Sequence, residues 1–117
     1  GGSLDTVMAG LACGEVSELA WEILHGGANA AVALDDAYAL EAMKLLANPA
    51  AGDPPIVAGE TGGAGLGALL AARDYPEIRA ALALDGSSRV LLLGSEGDTD
   101  PAIYRQVVGR SAQEVLS

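Results

Sequence analysis

Short apolar runs alternate with helix-forming segments along this chain of 117 residues. The apolar runs cover residues 30–34, 55–58 and 89–94, and the last includes four consecutive aliphatic residues. Gly, Pro and Asp mark the turns between segments. Parallel strands need a crossover connection, which is usually a helix, so this alternation predicts an α/β fold. The expected architecture has three layers, with a parallel sheet covered by crossover helices.

Helix ends are indicated by capping residues. Ser17 is a candidate N-cap, Asp35 and Asp36 place negative charge at a helix N-terminus, and Pro101 suits a first helical position. The predicted helices cover residues 17–28, 36–47, 66–73 and 76–82, with a last helix from residue 101. The side chains expected to face inward are Leu19, Ala20, Ile23, Leu24, Tyr38, Ala42, Leu45 and Leu46.

Charge and composition narrow the classes of partner. Sixteen acidic and six basic residues give a net charge of −10, which disfavours nucleic-acid and anionic membrane partners. No apolar run approaches the roughly 20 residues of a membrane span. The single cysteine, Cys13, excludes an internal disulfide and a multi-cysteine zinc site. A reducing cytoplasm is therefore the expected compartment.

The core is expected to be incomplete. Phenylalanine is absent and aromatic residues make up 3%, so large core anchors are scarce. The chain also opens abruptly, with Gly1, Gly2 and Ser3 before an apolar stretch. We expect a piece of a larger protein whose remaining part covers apolar surface. The alternative is a small alanine-rich domain.

Two segments that follow predicted strands are candidate sites, because ligands bind at the carboxyl ends of parallel strands. Residues 63–68, in the first segment, satisfy G-x-G-x-x-A, with Asp85 about 20 positions later, which is a weak dinucleotide signal. The charge of Glu60 opposes a pyrophosphate there, and close helix packing is the structural alternative. In the second segment, acidic residues surround Ser95 and Thr99. The acidic residues are typical of a helix N-terminus, where negative charge is favourable, or of a magnesium site. The two hydroxyl groups would instead suit a ligand that needs a neutral hydrogen-bond partner.

Four isolated residues favour structural roles. Cys13 lies in an exposed-looking loop, but a lone cysteine is more often inert than nucleophilic. His25 suits a helix C-terminus. Lys44 suits a solvated ion pair with Glu41 better than a Schiff base. Trp21 is expected in the core or at a subunit interface.

Five dispersed motifs occur in one order, at residues 6–15, 21–24, 48–49, 59–63 and 96–101. Together they resemble the C-terminal third of the diaminopropionate ammonia-lyase family. These are pyridoxal-phosphate (PLP) enzymes of fold type II, the tryptophan synthase β-like class. The resemblance covers nearly the whole chain. It implies that residues 1–117 form a single segment, the C-terminal part of the catalytic PLP-binding core.

The resemblance implies a lyase that removes ammonia from 2,3-diaminopropionate by α,β-elimination, giving pyruvate and ammonia. The family's Schiff-base lysine, acid and base groups and main phosphate loop lie in the N-terminal part, so the isolated chain should be inactive. A cytoplasmic homodimer acting in amino-acid catabolism is expected, with no nucleic-acid or membrane partner. The alternatives are a threonine or serine dehydratase, a threonine synthase, a small nucleotide-binding module, or a structural domain without a ligand.

The resemblance also implies site residues. The glycine-rich turn lies near the cofactor's ring edge in this fold type, and Glu60 matches the position that meets it. A hydroxyl after the last strand meets the pyridine nitrogen, which points to Ser95, with Thr99 in reserve. The expected cofactor-binding residues are Glu60, Thr61, Gly62, Gly63, Ser95 and Thr99. The expected substrate loop, within residues 6–15, includes Thr6, Met8, Ala9 and Gly10.

Overall fold

The computed structural model describes residues 3–117, so Gly1 and Gly2 of the predicted segment lie outside the described residues. Within this range a short 3-10 turn, Ala9–Leu11, is followed by six α-helices. The helices are α1 Glu18–Gly27, α2 Asp36–Ala47, α3 Ala64–Asp74, α4 Pro76–Ala81, α5 Pro101–Val108 and α6 Ala112–Leu116. In residues 3–117 no helix is long and apolar enough to span a bilayer.

Side-chain caps explain where most helices begin. Asp35 accepts a hydrogen bond from the Ala37 N–H at 2.9 Å, and Ser17 caps α1 in the same way. Asp100 caps α5, whose first residue is Pro101. The predicted helices at these positions are confirmed. The last predicted helix is divided in two, because Gly109 adopts a left-handed φ of 86° that ends α5.

Helix α2 lies at the centre of the packing and contacts both α3 and α5. Met43 and Ala47 of α2 are buried together with Tyr104 of α5 and Val115 of α6. The predicted inward position of Ala42 is confirmed, but Leu45 is exposed. The core is thus a small cluster around one helix.

Glycines allow α3 to approach α2 closely. A Cβ on Gly67 would lie 3.2 Å from the Tyr38 carbonyl oxygen, and one on Gly63 would lie 3.2 Å from the Ala39 carbonyl oxygen. Gly63 is the first glycine of the G-x-G-x-x-A pattern, and Gly67 lies within the same segment at a variable position. In this structure they serve helix packing, as the structural alternative predicted.

The structure does not confirm the predicted parallel sheet. No strand forms in residues 3–117, and no backbone hydrogen bond joins segments 30–34, 55–58 and 89–94 to one another. Leu91 and Leu93 are 86% and 85% exposed. A strand is stable only when a neighbouring strand pairs with its N–H and C=O groups. The described residues supply no such neighbour to these segments.

Helix α1 contributes nothing to the core. None of its residues is buried, and Leu19 and Ile23 are 74% and 70% exposed. The prediction that its apolar face points inward is therefore wrong for the described residues. Spacing can identify an apolar face, but burial requires a surface that packs against it.

Candidate functional site

The two candidate segments meet in space. We call residues 59–63 the glycine turn and residues 94–100 the acidic loop. The Glu96 carboxylate oxygen Oε2 accepts hydrogen bonds from the backbone N–H of Thr61 at 2.7 Å and of Gly62 at 2.9 Å. The Glu96 carbonyl oxygen accepts a third from the Gly59 N–H at 3.1 Å. Glu96 therefore binds the glycine turn through both its side chain and its backbone.

Two glycines make this contact possible. A Cβ on Gly59 would lie 2.3 Å from the Gly97 carbonyl oxygen, and a Cβ on Gly62 would lie 2.4 Å from the Glu96 carbonyl oxygen. Both separations are far below a van der Waals contact, and both involve backbone atoms that cannot rotate away. The glycines at these positions are required by the close approach of the acidic loop.

Glu60 is a deeply placed charged side chain. It is 6% exposed and accepts no hydrogen bond from any residue within 3–117. Its carboxylate oxygens are not among the fully buried side-chain atoms that lack a hydrogen-bond partner, so they still reach solvent. Glu60 is therefore available to a donor from a ligand or from residues beyond the described chain.

The two candidate hydroxyl groups differ in their contacts. Thr99 Oγ1 donates to Glu96 Oε1 at 2.9 Å, so its proton is engaged within the acidic loop. Ser95 is exposed, and its hydroxyl has no hydrogen-bond partner among the described residues. Of the two hydroxyls, that of Ser95 is free to donate to a ligand.

The predicted substrate loop lies against the glycine turn. The Gly10 N–H donates to Thr61 Oγ1 at 3.0 Å. The loop is also attached to α2, since the Asp36 carboxylate accepts from the Thr6 hydroxyl and, at 2.9 Å, from the Val7 N–H. Both bonds lower the pKa of Asp36, and the bond from Thr6 has the larger effect. Within the loop, Met8 is buried and Ala9 is exposed at the start of the 3-10 turn.

The alternative ligands lose support from this geometry. The Thr61 and Gly62 amides are engaged by Glu96 and are not free for a pyrophosphate, and Asp85 instead accepts from the Ser87 hydroxyl and N–H. The magnesium alternative would need several carboxylates of the acidic loop around one point, but the Asp100 carboxylate instead caps α5. Across residues 3–117, no group of three or more His, Cys, Asp or Glu side chains is arranged to hold a metal.

The isolated residues take peripheral positions. The predicted Lys44 pair is wrong: Glu41 instead binds Arg73, with Nη1 and Oε1 separated by 3.0 Å. Cys13 is exposed. Trp21 is also exposed and packs edge-on against His25, with ring centroids 5.3 Å apart. Of its two predicted places, the core is therefore wrong for the described residues, and the subunit interface stays a prediction.

Sequence reasoning did not identify two residues that organise this region. In the sequence, Glu96 is one of several acidic residues in a run, and Asp36 is one of two acids at a predicted helix start, so neither pattern indicates a long-range contact. Their partners are 35 and 30 residues away along the chain. The available signal was local: glycines at 59 and 62 precede a compact helix start, which indicates that another segment approaches the backbone there.

Comparisons with known proteins decide the relationship. No protein-family model matches the chain. A diaminopropionate ammonia-lyase from Escherichia coli K12 is 44% identical over 111 residues, which cover 92% of this chain. One from Salmonella typhimurium LT2 is 40% identical over 117 residues, covering 95%. The chain is homologous to the C-terminal part of diaminopropionate ammonia-lyase.

A solved diaminopropionate ammonia lyase shows the same relationship in three dimensions. The crystal structure of the E. coli protein, in complex with an aminoacrylate–PLP azomethine reaction intermediate, superposes with a TM-score of 0.81 at 44% identity. The match covers 88% of this chain and 28% of that one. This chain spans 28–29% of the length of the two curated diaminopropionate ammonia-lyases named above. The predicted resemblance is confirmed.

Proposed function

We propose that this chain forms the C-terminal part of a PLP-dependent lyase that eliminates ammonia from 2,3-diaminopropionate, giving pyruvate and ammonia. One observation carries the proposal beyond the names of its relatives. The glycine turn and the acidic loop, predicted separately to face the cofactor, are held together by Glu96. Glu60 and Ser95 each directly precede a residue of that contact, so they belong to one region of the molecule.

The residues of this region fit the cofactor's ring. Bound PLP supplies an electron-withdrawing ring that stabilises negative charge on the substrate's α-carbon. We infer that Ser95 donates its free hydroxyl to the pyridine nitrogen and that Glu60 faces the ring edge. The backbone of Thr61, Gly62 and Gly63 supports Glu60 from behind. Thr99 acts indirectly, because its hydroxyl is bound to Glu96.

The loop of residues 6–15, with Thr6, Met8, Ala9 and Gly10 in it, is proposed to line the substrate entrance. Support comes from the Gly10 bond to Thr61, which places this loop beside the glycine turn. The Thr6 hydroxyl also donates to the carboxylate of Asp36, the first residue of α2, and this bond attaches the same loop to that helix. A small amino-acid substrate would therefore be enclosed by residues from two distant parts of the chain.

The fold proposed for the complete protein is the three-layer α/β core with a parallel sheet. The segments 30–34 and 89–94 lack pairing partners within residues 3–117 and carry apolar side chains. Strands contributed by the preceding part of the lyase would pair with them. Residues 1–117 would then be one continuous segment of the catalytic core.

A cytoplasmic homodimer is proposed as the working form. The exposed apolar side chains of α1, Leu19 and Ile23 among them, need a covering surface. Light scattering should show a dimer for the complete lyase and self-association for the isolated chain. A stable monomer of the isolated chain would count against the idea that its apolar surface is covered by other residues.

Activity of the complete polypeptide tests the proposed function. The protein would be purified with PLP, and pyruvate release would be followed with 2,3-diaminopropionate, serine and threonine as separate substrates. We expect diaminopropionate to give the highest kcat/KM. Faster turnover of serine or threonine would favour a dehydratase, and no turnover of any of the three would refute the lyase. The isolated chain should be inactive in the same assay.

A further inference from the structure

We propose that Glu96 is a positioning residue that holds Glu60 and Ser95 in their places toward the cofactor ring. The inference rests on the proposed function and adds to it a residue that does not itself touch the ring. Its basis is the set of contacts that Glu96 makes on both sides of Glu60.

The peptide groups that flank Glu60 are both bonded to Glu96. On one side the Gly59 N–H donates to the Glu96 carbonyl oxygen at 3.1 Å. On the other side the Thr61 N–H donates to the Glu96 carboxylate at 2.7 Å. Two such bonds fix the direction in which the backbone presents the side chain between them. Glu60 makes no hydrogen bond of its own within residues 3–117, so its position depends on this backbone attachment.

Ser95 is held by the same contact from the opposite segment. Its peptide bond leads directly into Glu96, whose side chain is also fixed by the Thr99 hydroxyl at 2.9 Å. Hydrogen bonds to an ionised carboxylate are roughly twice as strong as neutral ones. Glu96 therefore sets the relative position of the two segments that carry the proposed ring contacts.

Neighbouring acids do not share this role. Asp98 makes no side-chain hydrogen bond among the described residues, and Asp100 is engaged in capping α5. Asp98 therefore offers a matched control, since Asp98→Asn removes one negative charge from the same loop without breaking a contact. Glu96→Gln is the conservative variant, because its amide oxygen can still accept from the Thr61 and Gly62 amides.

The first measurement needs no cofactor. Hydrogen–deuterium exchange of the complete polypeptide without PLP would follow a peptide that contains Thr61 and Gly62. Glu96→Ala should speed exchange there by about 10-fold or more, since both amides lose their acceptor. Glu96→Gln should retain most of the protection, and Asp98→Asn all of it. Unchanged exchange in Glu96→Ala would overturn the inference.

The second measurement uses the PLP-loaded enzyme. Glu96→Ala should lower kcat by about 10- to 100-fold, because displaced contact groups lose their alignment, and should alter the visible circular dichroism of the bound cofactor. Glu96→Gln should largely restore both. A Glu96→Ala enzyme that matches Asp98→Asn in kcat and dichroism would refute the positioning role. A wild-type protein that shows no visible cofactor band would instead refute the proposed function, and the positioning role at a cofactor with it.

Discussion

Replacing Gly62 by alanine should separate the acidic loop from the glycine turn. The new Cβ would lie 2.4 Å from the Glu96 carbonyl oxygen and 3.3 Å from the Glu96 carbonyl carbon. Relief requires a backbone shift of nearly 1 Å, because neither contact atom belongs to a flexible side chain. Forced overpacking of this kind costs about 2 kcal/mol. The shift would also lengthen the bonds from Thr61 and Gly62 to the Glu96 carboxylate.

A local probe measures this cost better than global unfolding, because large multidomain proteins commonly do not unfold in two states. At 1.4 kcal/mol for each factor of ten, about 2 kcal/mol predicts roughly 30-fold faster amide exchange in a peptide spanning residues 59–64. Hydrogen–deuterium exchange with mass spectrometry resolves a change of that size. The peptide can be followed in the complete polypeptide with and without PLP.

Gly97→Ala is the matched control. It lies in the acidic loop, and a Cβ there would meet nothing within 4 Å. Its backbone is outside the left-handed region, so alanine should be neutral or slightly stabilising through the unfolded state. The same substitution is thus expected to be destabilising at position 62 and not at position 97. Equal exchange rates in the two variants would show that the close approach to Glu96 carries no energetic weight.

Three further predictions concern side chains. In the complete polypeptide, assayed for the proposed lyase activity, Ser95→Ala should reduce turnover while the thermal midpoint stays near that of wild type; equal loss of both would make Ser95 merely structural. The lowered pKa of Asp36 means that its hold on residues 6–10 is present above the ordinary carboxyl value of 3.8 and is lost as the pH falls through the still lower folded value. Protection of the Val7 amide, measured relative to the intrinsic exchange rate at each pH, should therefore be retained at pH 5 and, wherever the rest of the fold persists, fall at more acid pH, and Asp36→Asn should remove that pH dependence. The bond from the Tyr38 hydroxyl to Asp74 raises the pKa of Tyr38 to about 12, so its stabilising effect is present below pH 10 and lost as the pH rises toward 12; an ultraviolet titration in which Tyr38→Phe removes no absorbance change above pH 10 would contradict this.

Local signals predicted the helices well. Ser17, Asp35 and Asp100 lie within three residues of the N–H groups they cap, so sequence alone fixes those helix starts. The boundary that was missed, at Gly109, is also local, but a glycine can end a helix or continue it. Its left-handed φ becomes evident only in the folded chain.

Long-range features were harder to predict. The burial of an apolar face depends on the surface opposite it, and α1 lacks such a surface among the described residues. Pairing of residues 89–94 depends on neighbouring strands in the same way. For the site, the two segments could be predicted, but not the bond between Glu96 and Thr61, because nothing in a run of acids indicates which one turns toward a backbone 35 residues earlier.

The order of the two segments along the chain determines when this contact can form during synthesis. The glycine turn is synthesised before the acidic loop, so a growing chain carries residues 59–63 for a period in which their acceptor has not been made. During that interval the Thr61 and Gly62 amides lack the acceptor that they have in the folded chain. A nascent chain can therefore form this contact only after residue 96 has been synthesised, so the glycine turn takes its final conformation late.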